Sequence, residues 1–103
     1  MVEINFDKLD RTLVLAELSC NHLQSFDIAV RTIEAMKKAG ADVVKVQNDN
    51  PDGGITIDCD NEYFQIGGGT LWDGKTLNKL YKETYTPWEW LPKLQKVAHD
   101  LDM

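Results

Sequence analysis

Along the chain, two short apolar runs turn polar at their C-terminal ends: Thr12-Leu13-Val14-Leu15-Ala16-Glu17-Leu18-Ser19-Cys20-Asn21-His22, and Asp42-Val43-Val44-Lys45-Val46-Gln47. Near-continuous apolar runs of this length suit parallel strands with both faces covered. Side chains alternate along a strand, so Leu13, Leu15 and Glu17 share one face of the first run, and Val43, Lys45 and Gln47 share one face of the second. Paired in register, the two runs bring a carboxylate and an ammonium to the same end of a sheet. Parallel α/β folds place their active sites at the C-terminal ends of the strands, in open sheets and closed barrels alike. The same two residues can equally be a structural ion pair, or strand ends reaching solvent.

The segment between the runs predicts a helix. Ser25 is an N-cap residue type, and Phe26, Ala29, Val30, Ile33 and Met36 recur at helical spacing. Lys37 and Lys38 fall in the last turn, where cations suit the helix dipole, and Gly40 suits a left-handed C-cap. Strand, helix and strand then form a right-handed crossover.

Beyond Gln47, the stretch Asn48-Asp49-Asn50-Pro51-Asp52-Gly53-Gly54 is dense in turn formers. Ile55 to Cys59 alternates and predicts a short strand, with Tyr63 to Ile66 as its hairpin partner before Gly67-Gly68-Gly69. No G-x-G-x-x-G and no G-K-[ST] accompanies the three glycines, so they read as a turn and not as a phosphate cradle.

Helical spacing returns in the last third. Leu71, Trp72, Leu77, Leu80 and Tyr81 group as apolar positions, with Asp73 as N-cap of a short helix from about Thr76 to Glu83. Thr86-Pro87-Trp88-Glu89 has the form of a capping box with proline at the first helical position. Trp90, Leu94, Val97, Ala98 and Leu101 supply the apolar stripe that follows, and Pro92 predicts an irregular first turn. Trp88 and Trp90 read as core packing.

Composition narrows the function classes. A net charge of −6 gives no basic surface for nucleic acid, and no apolar run reaches a membrane span of ~20 residues. The N-terminus lacks the pattern of a signal peptide, so a cytoplasmic protein is expected. Cys20 and Cys59 lack C-x-x-C spacing and read as reduced structural thiols. With 103 residues the chain falls well short of the ~250 of a complete (β/α)8 barrel.

The strings Ala16 to His22, Thr32 to Asp42 and Lys45-Val46-Gln47 together resemble the N-terminal part of the sialic acid synthase family. Thr56 to Phe64, Gly69 to Lys75 and Tyr85 to Trp90 resemble its pseudaminic acid synthase branch. The resemblance implies an N-terminal fragment of a (β/α)8 TIM barrel, residues 1–103 being its first two βα units, without the C-terminal half of the barrel or the family's antifreeze-like domain. It implies condensation of phosphoenolpyruvate with an N-acetylated amino sugar. The full-length family uses a divalent metal, manganese or magnesium, whose histidine ligands come from later strands; none is expected to bind this chain tightly. By the same resemblance Glu17 is the catalytic glutamate of the first strand, Lys45 binds phosphoenolpyruvate, Gln47 lies on the sugar side, and Asn21 and His22 contribute to substrate binding. Leu23, Cys20, Asn48 to Asn50 and Gly53-Gly54 depart from the pattern beside that site. Alone, such a chain is expected to be inactive. The alternatives are a non-catalytic remnant or small dimeric interaction module, and one piece of a split enzyme, so a homodimer partner or a complementing barrel fragment both stay open.

Overall fold

The computed structural model describes residues 3–54 and 56–103. Its order is a single turn of 3-10 helix at Phe6–Lys8, then β1 (Leu15–Ser19), α1 (Phe26–Lys38), β2 (Val43–Val46), α2 (Leu77–Thr84), a 3-10 turn at Trp88–Trp90, and α3 (Leu91–Asp100). β1 and β2 pair in parallel, with Leu15 opposite Val43, Ala16 opposite Val44 and Glu17 opposite Lys45. The expected strand, helix, strand unit is present, in the expected register.

Its local signals act as the residue types dictate. The Ser25 hydroxyl accepts the N–H of Ile28 at 3.3 Å and starts α1. At the other end Gly40 takes φ 95°, while the Ala41 and Gly40 N–H groups donate to the carbonyls of Met36 and Lys37. That bonding pattern is a Schellman motif, and its left-handed residue favours glycine.

One face of the sheet is packed. Leu18, Ala29, Ile33 and Leu94 form the buried centre, with Phe26, Val30, Met36, Val44, Val46, Trp90, Val97 and Leu101 against them. Both predicted helical stripes therefore point inward, α1 and α3 lying on the same side of the strands. The other face carries Leu15, Glu17 and Lys45 and stands open, Leu15 being 56% exposed. Coverage of both faces, which the apolar runs suggest, is not achieved among the described residues. The radius of gyration is 16.5 Å, against about 13 Å for a compact domain of 100 residues.

Below the strands, both guanidinium ends of Arg11 meet the Asp42 carboxylate, which also accepts the N–H of Val14 at 2.9 Å. This clamp ties the entry to β1 to the entry to β2. The Arg11 hydrogen bonds, then the Val14 N–H, hold the Asp42 carboxyl far below the usual carboxylate range. A carboxyl depressed in the folded state adds stability above its unfolded pKa of about 3.9 and loses it as pH falls toward the folded value. Asp42→Asn is therefore expected to flatten the acid limb of stability below about pH 4. Urea midpoints measured across that range check it; an unchanged slope would count against the clamp.

Three expectations are corrected. No hairpin forms among the described residues 56–66, and Ile55 lies outside the described residues. Gln65 instead makes an isolated antiparallel bridge with Thr76, supported by Ile66 N–H to Lys75 O and Leu77 N–H to Phe64 O. The alternation in Ile57 did not become burial: it is 65% exposed. Second, α2 is capped by Thr76, which accepts from Lys79 N–H at 3.3 Å, and not by Asp73. Asp73 closes the glycine turn, accepting the N–H groups of Gly69 and Thr70. The cradle of amides is thus filled by the chain's own carboxylate, whose proton affinity is lowered first by the Thr70 hydroxyl, which donates to it at 2.7 Å, and then by the two amides. Leu71 and Trp72 lie exposed, and the residue that α2 buries is Asn78, which donates to Pro51 O and Thr56 Oγ1. Third, Thr86 does not cap. Pro87 precedes the 3-10 turn with no side-chain cap, and the buried Thr86 hydroxyl is used elsewhere. The irregular start that Pro92 predicts is this 3-10 turn, with the proline in the first turn of α3.

Candidate functional site

At the C-terminal end of the sheet the two strands present their polar residues together. Lys45 Nζ lies 2.9 Å from Glu17 Oε1, and both side chains are about half exposed on the open face. Opposite positions in a parallel pair and a shared face make this contact a direct product of register. After Glu17 the register slips, so that Ser19 rather than Leu18 is the next residue paired, and Ser19 takes a left-handed φ of 54°. The slip brings Ser19 Oγ to Gln47 Oε1 at 3.0 Å, while Gln47 Nε2 donates to Asp49 Oδ2. Both ends of the Gln47 amide are thereby held, which fixes its orientation.

Cys20 points its thiol toward Gln47 O at 3.9 Å, and burial first, then the nearby Asp49 charge, push it away from thiolate. It is a free thiol, as is Cys59. Asn21 stands exposed in the turn after β1.

His22 is wholly buried. Its Nδ1 accepts the Gln24 N–H at 3.1 Å, so the neutral ring carries its proton on Nε2 and donates to Thr86 Oγ1 at 2.8 Å. Trp90 packs edge-on against the ring at 5.3 Å, and against Phe26 at 5.5 Å. Gln24 also reaches Tyr85 O through its side chain. Leu23 and Gln24 both hold left-handed φ values near 50°, a conformation costing non-glycine residues roughly 1–2 kcal/mol each. The His22 and Gln24 bonds offset that strain and fasten the β1–α1 turn to the entry of α3. Of the two tryptophans expected in the core, only Trp90 is there; Trp88 is 55% exposed and donates Nε1–H to Asn48 O at 2.9 Å.

Burial lowers the His22 pKa. A group kept neutral in the fold contributes stability above its unfolded pKa, about 6.5, and loses it as pH falls below that value. Protonation also sets a donor against the Gln24 N–H. The chain is expected to lose stability on acidification from about pH 6.5, and His22→Gln to remove that slope. Thermal melts of both proteins across this range provide the check, and parallel pH profiles would refute it.

The five residues singled out from sequence thus divide. Glu17 and Lys45 meet at the strand ends, Gln47 is held just beyond them by Ser19 and Asp49, Asn21 stands exposed in the turn after β1, and His22 lies inside the fold. Sequence reasoning missed Ser19 and Asp49, the two partners of Gln47; the polar ends of both runs were the available signal. Among the described residues no three His, Cys, Asp or Glu side chains converge as metal donors.

The Glu17–Lys45 pair thus stands at the C-terminal ends of adjacent parallel strands, the end of the sheet at which parallel α/β folds place their active sites. The chain belongs to the NeuB family, which it matches over residues 32–103. It is 42% identical over 96 residues to the pseudaminic acid synthase of Campylobacter jejuni, and 40% identical over 90 residues to that of Helicobacter pylori. These matches cover 93% and 87% of this chain but 27% and 26% of the relatives, so the chain spans about a quarter of their length. Among the described residues no helix is long and apolar enough to cross a membrane.

Proposed function

We propose that this chain supplies the first strand ends of a nonulosonic acid synthase, as the N-terminal portion of a (β/α)8 barrel that condenses phosphoenolpyruvate with an N-acetylated amino sugar. The observation that carries the reading is the Glu17–Lys45 contact of 2.9 Å at register-matched strand ends, in a chain 42% identical to a pseudaminic acid synthase. In it, the Lys45 ammonium holds the phosphate or carboxylate of phosphoenolpyruvate as a compact point charge. Glu17 orients that ammonium and meets a sugar hydroxyl. Gln47, locked by Ser19 and Asp49, offers a fixed amide toward the sugar, and Asn21 stands at the rim. His22 serves from within, because both ring nitrogens are committed and no solvent reaches it.

Among the described residues the donor set does not fit the divalent metal that the family implies. Glu17 is engaged by Lys45, Asp49 by Gln47, and the His22 nitrogens by Gln24 and Thr86. No step is therefore routed through a metal on this chain.

Two measurements bear on the proposal. The chain by itself is expected to turn over no phosphoenolpyruvate, and to bind it no tighter than millimolar, about −4 kcal/mol. An exposed ion pair is worth only about 0–1 kcal/mol, and the net negative charge opposes an anion. Calorimetry giving micromolar binding that Lys45→Ala removes would contradict this. The decisive test is a chimera in which this chain replaces the matched stretch of the Campylobacter jejuni synthase. Phosphate release from phosphoenolpyruvate and the amino sugar supports the proposal; a folded but inactive chimera overturns it.

A further inference from the structure

The segment that leaves β2 turns a carboxylate inward. Gln47 and Asp49 are half-buried, whereas Asn48 and Asn50 are exposed. The backbone is held on both sides of Asp49: Asn48 O accepts the Trp88 indole N–H at 2.9 Å, and Asn50 O accepts the Gly53 N–H at 3.0 Å. Asp49 therefore stands fixed beside the Gln47 amide, taking its Nε2–H on Oδ2, while Oδ1 takes no hydrogen bond among the described residues. No lysine or arginine among the described residues pairs with it, so its charge faces the strand end uncompensated.

We infer that Asp49 is a specificity-determining residue of the sugar side, because it sets the sense in which Gln47 presents its amide and adds an acceptor beside it. The inference rests on the function proposed above. A carboxylate only accepts hydrogen bonds, so it holds the Nε2 side of the Gln47 amide toward itself. The Ser19 hydroxyl gives or takes a hydrogen bond and follows whichever sense is set; here it donates to Gln47 Oε1 at 3.0 Å. With these bonds made, Gln47 keeps one N–H and one lone pair, and Asp49 keeps Oδ1. The end of β2 thus offers a donor and two acceptors in a fixed order. Neighbouring hydroxyl and acetamido groups of a sugar complement that order, whereas a ligand edge that only accepts would meet the Asp49 charge unpaired. Asp49 lies in the stretch Asn48 to Asn50, where this chain departs from the sialic acid synthase pattern, so the device belongs to this chain and not to the family motif.

The test has two arms, and the first needs no activity. In the full chain labelled with nitrogen-15, one of the Gln47 Nε2 protons is expected downfield and slow to exchange, with the side-chain amide of the exposed Asn21 as reference. Asp49→Asn admits both senses of the amide and should remove that signature, while Ser19→Ala should leave it in place. Unchanged amide shifts in α1 and α3 establish that each variant is folded. Absence of the signature from the parent chain, its survival in Asp49→Asn, or its equal loss in Ser19→Ala would overturn the inference. In the second arm, Asp49→Asn in the chimera with the Campylobacter jejuni synthase should raise the KM for the amino sugar about three- to tenfold, with kcat and the KM for phosphoenolpyruvate within about twofold. An active chimera whose sugar KM ignores Asp49→Asn overturns the inference and leaves the proposed function standing. An inactive chimera counts against the proposed function, and the Gln47 signature then decides what Asp49 does.

Discussion

Glu17→Gln, placed in a chimera that carries this chain within the Campylobacter jejuni synthase, is expected to lower kcat by about 10²–10⁴-fold, the range for loss of a positioned acid or base. Glutamine keeps the shape of glutamate and can still meet Lys45, but it neither carries charge nor moves a proton at the strand end. The contact with Lys45 is half exposed, and as an ion pair alone it would contribute no more than about 1 kcal/mol to stability. A structural role therefore predicts a small change in melting temperature and an unaltered kcat. Lys45→Ala should separate the two residues by raising the KM for phosphoenolpyruvate, since it removes binding charge and not the proton carrier. Equal kcat values for the parent chimera and Glu17→Gln would remove Glu17 from catalysis.

Ile33→Ala is expected to unfold the isolated chain or to leave it without a cooperative transition. Ile33 is fully buried at the point where α1 meets the sheet and Leu94. Truncating a buried isoleucine to alanine costs about 2–5 kcal/mol, against about 5–15 kcal/mol for an ordinary domain. Among the described residues six hydrophobic side chains are buried and one sheet face is uncovered, which places the chain at the low end of that range. Leu71→Ala is the contrast, since Leu71 is 96% exposed and should shift stability by less than about 0.5 kcal/mol. Urea denaturation followed by tryptophan fluorescence distinguishes them; equal midpoints would mean that the core lies elsewhere.

Much of the β1–α1–β2 unit was legible because each of its signals is local. Ser25, Gly40 and the apolar stripe of α1 act over a few residues, and period-two alternation places Glu17 and Lys45 on one face. What escaped notice joins distant parts of the chain. Thr86 fits a capping box, yet its hydroxyl goes to His22, 64 positions earlier. His22 sits in a motif suggestive of ligand contact, but its burial against Trp90 is invisible until the 3-10 turn before α3 is in place. The slip that sets Ser19 on Gln47 belongs to strand pairing, and no spacing in either run announces it. The hairpin failed for the opposite reason: alternation was present, but Ile57 and Tyr63 found no apolar surface to lie on and remain exposed.

The connection from Gln47 to Thr76 leaves the same strand end that carries Lys45, and it runs far beyond the two to six residues usual between a strand and its helix. It is pinned at a few points, by Asn78 to Pro51 and Thr56 and by Trp88 to Asn48, and the four residues at the buried centre of the core all lie outside it. Heritable change can therefore accumulate there with little penalty to folding. Under the function proposed above, divergence in which sugar is accepted proceeds in this segment while the Glu17–Lys45 pair stays the same, so that selectivity and chemistry evolve on separate stretches of one gene.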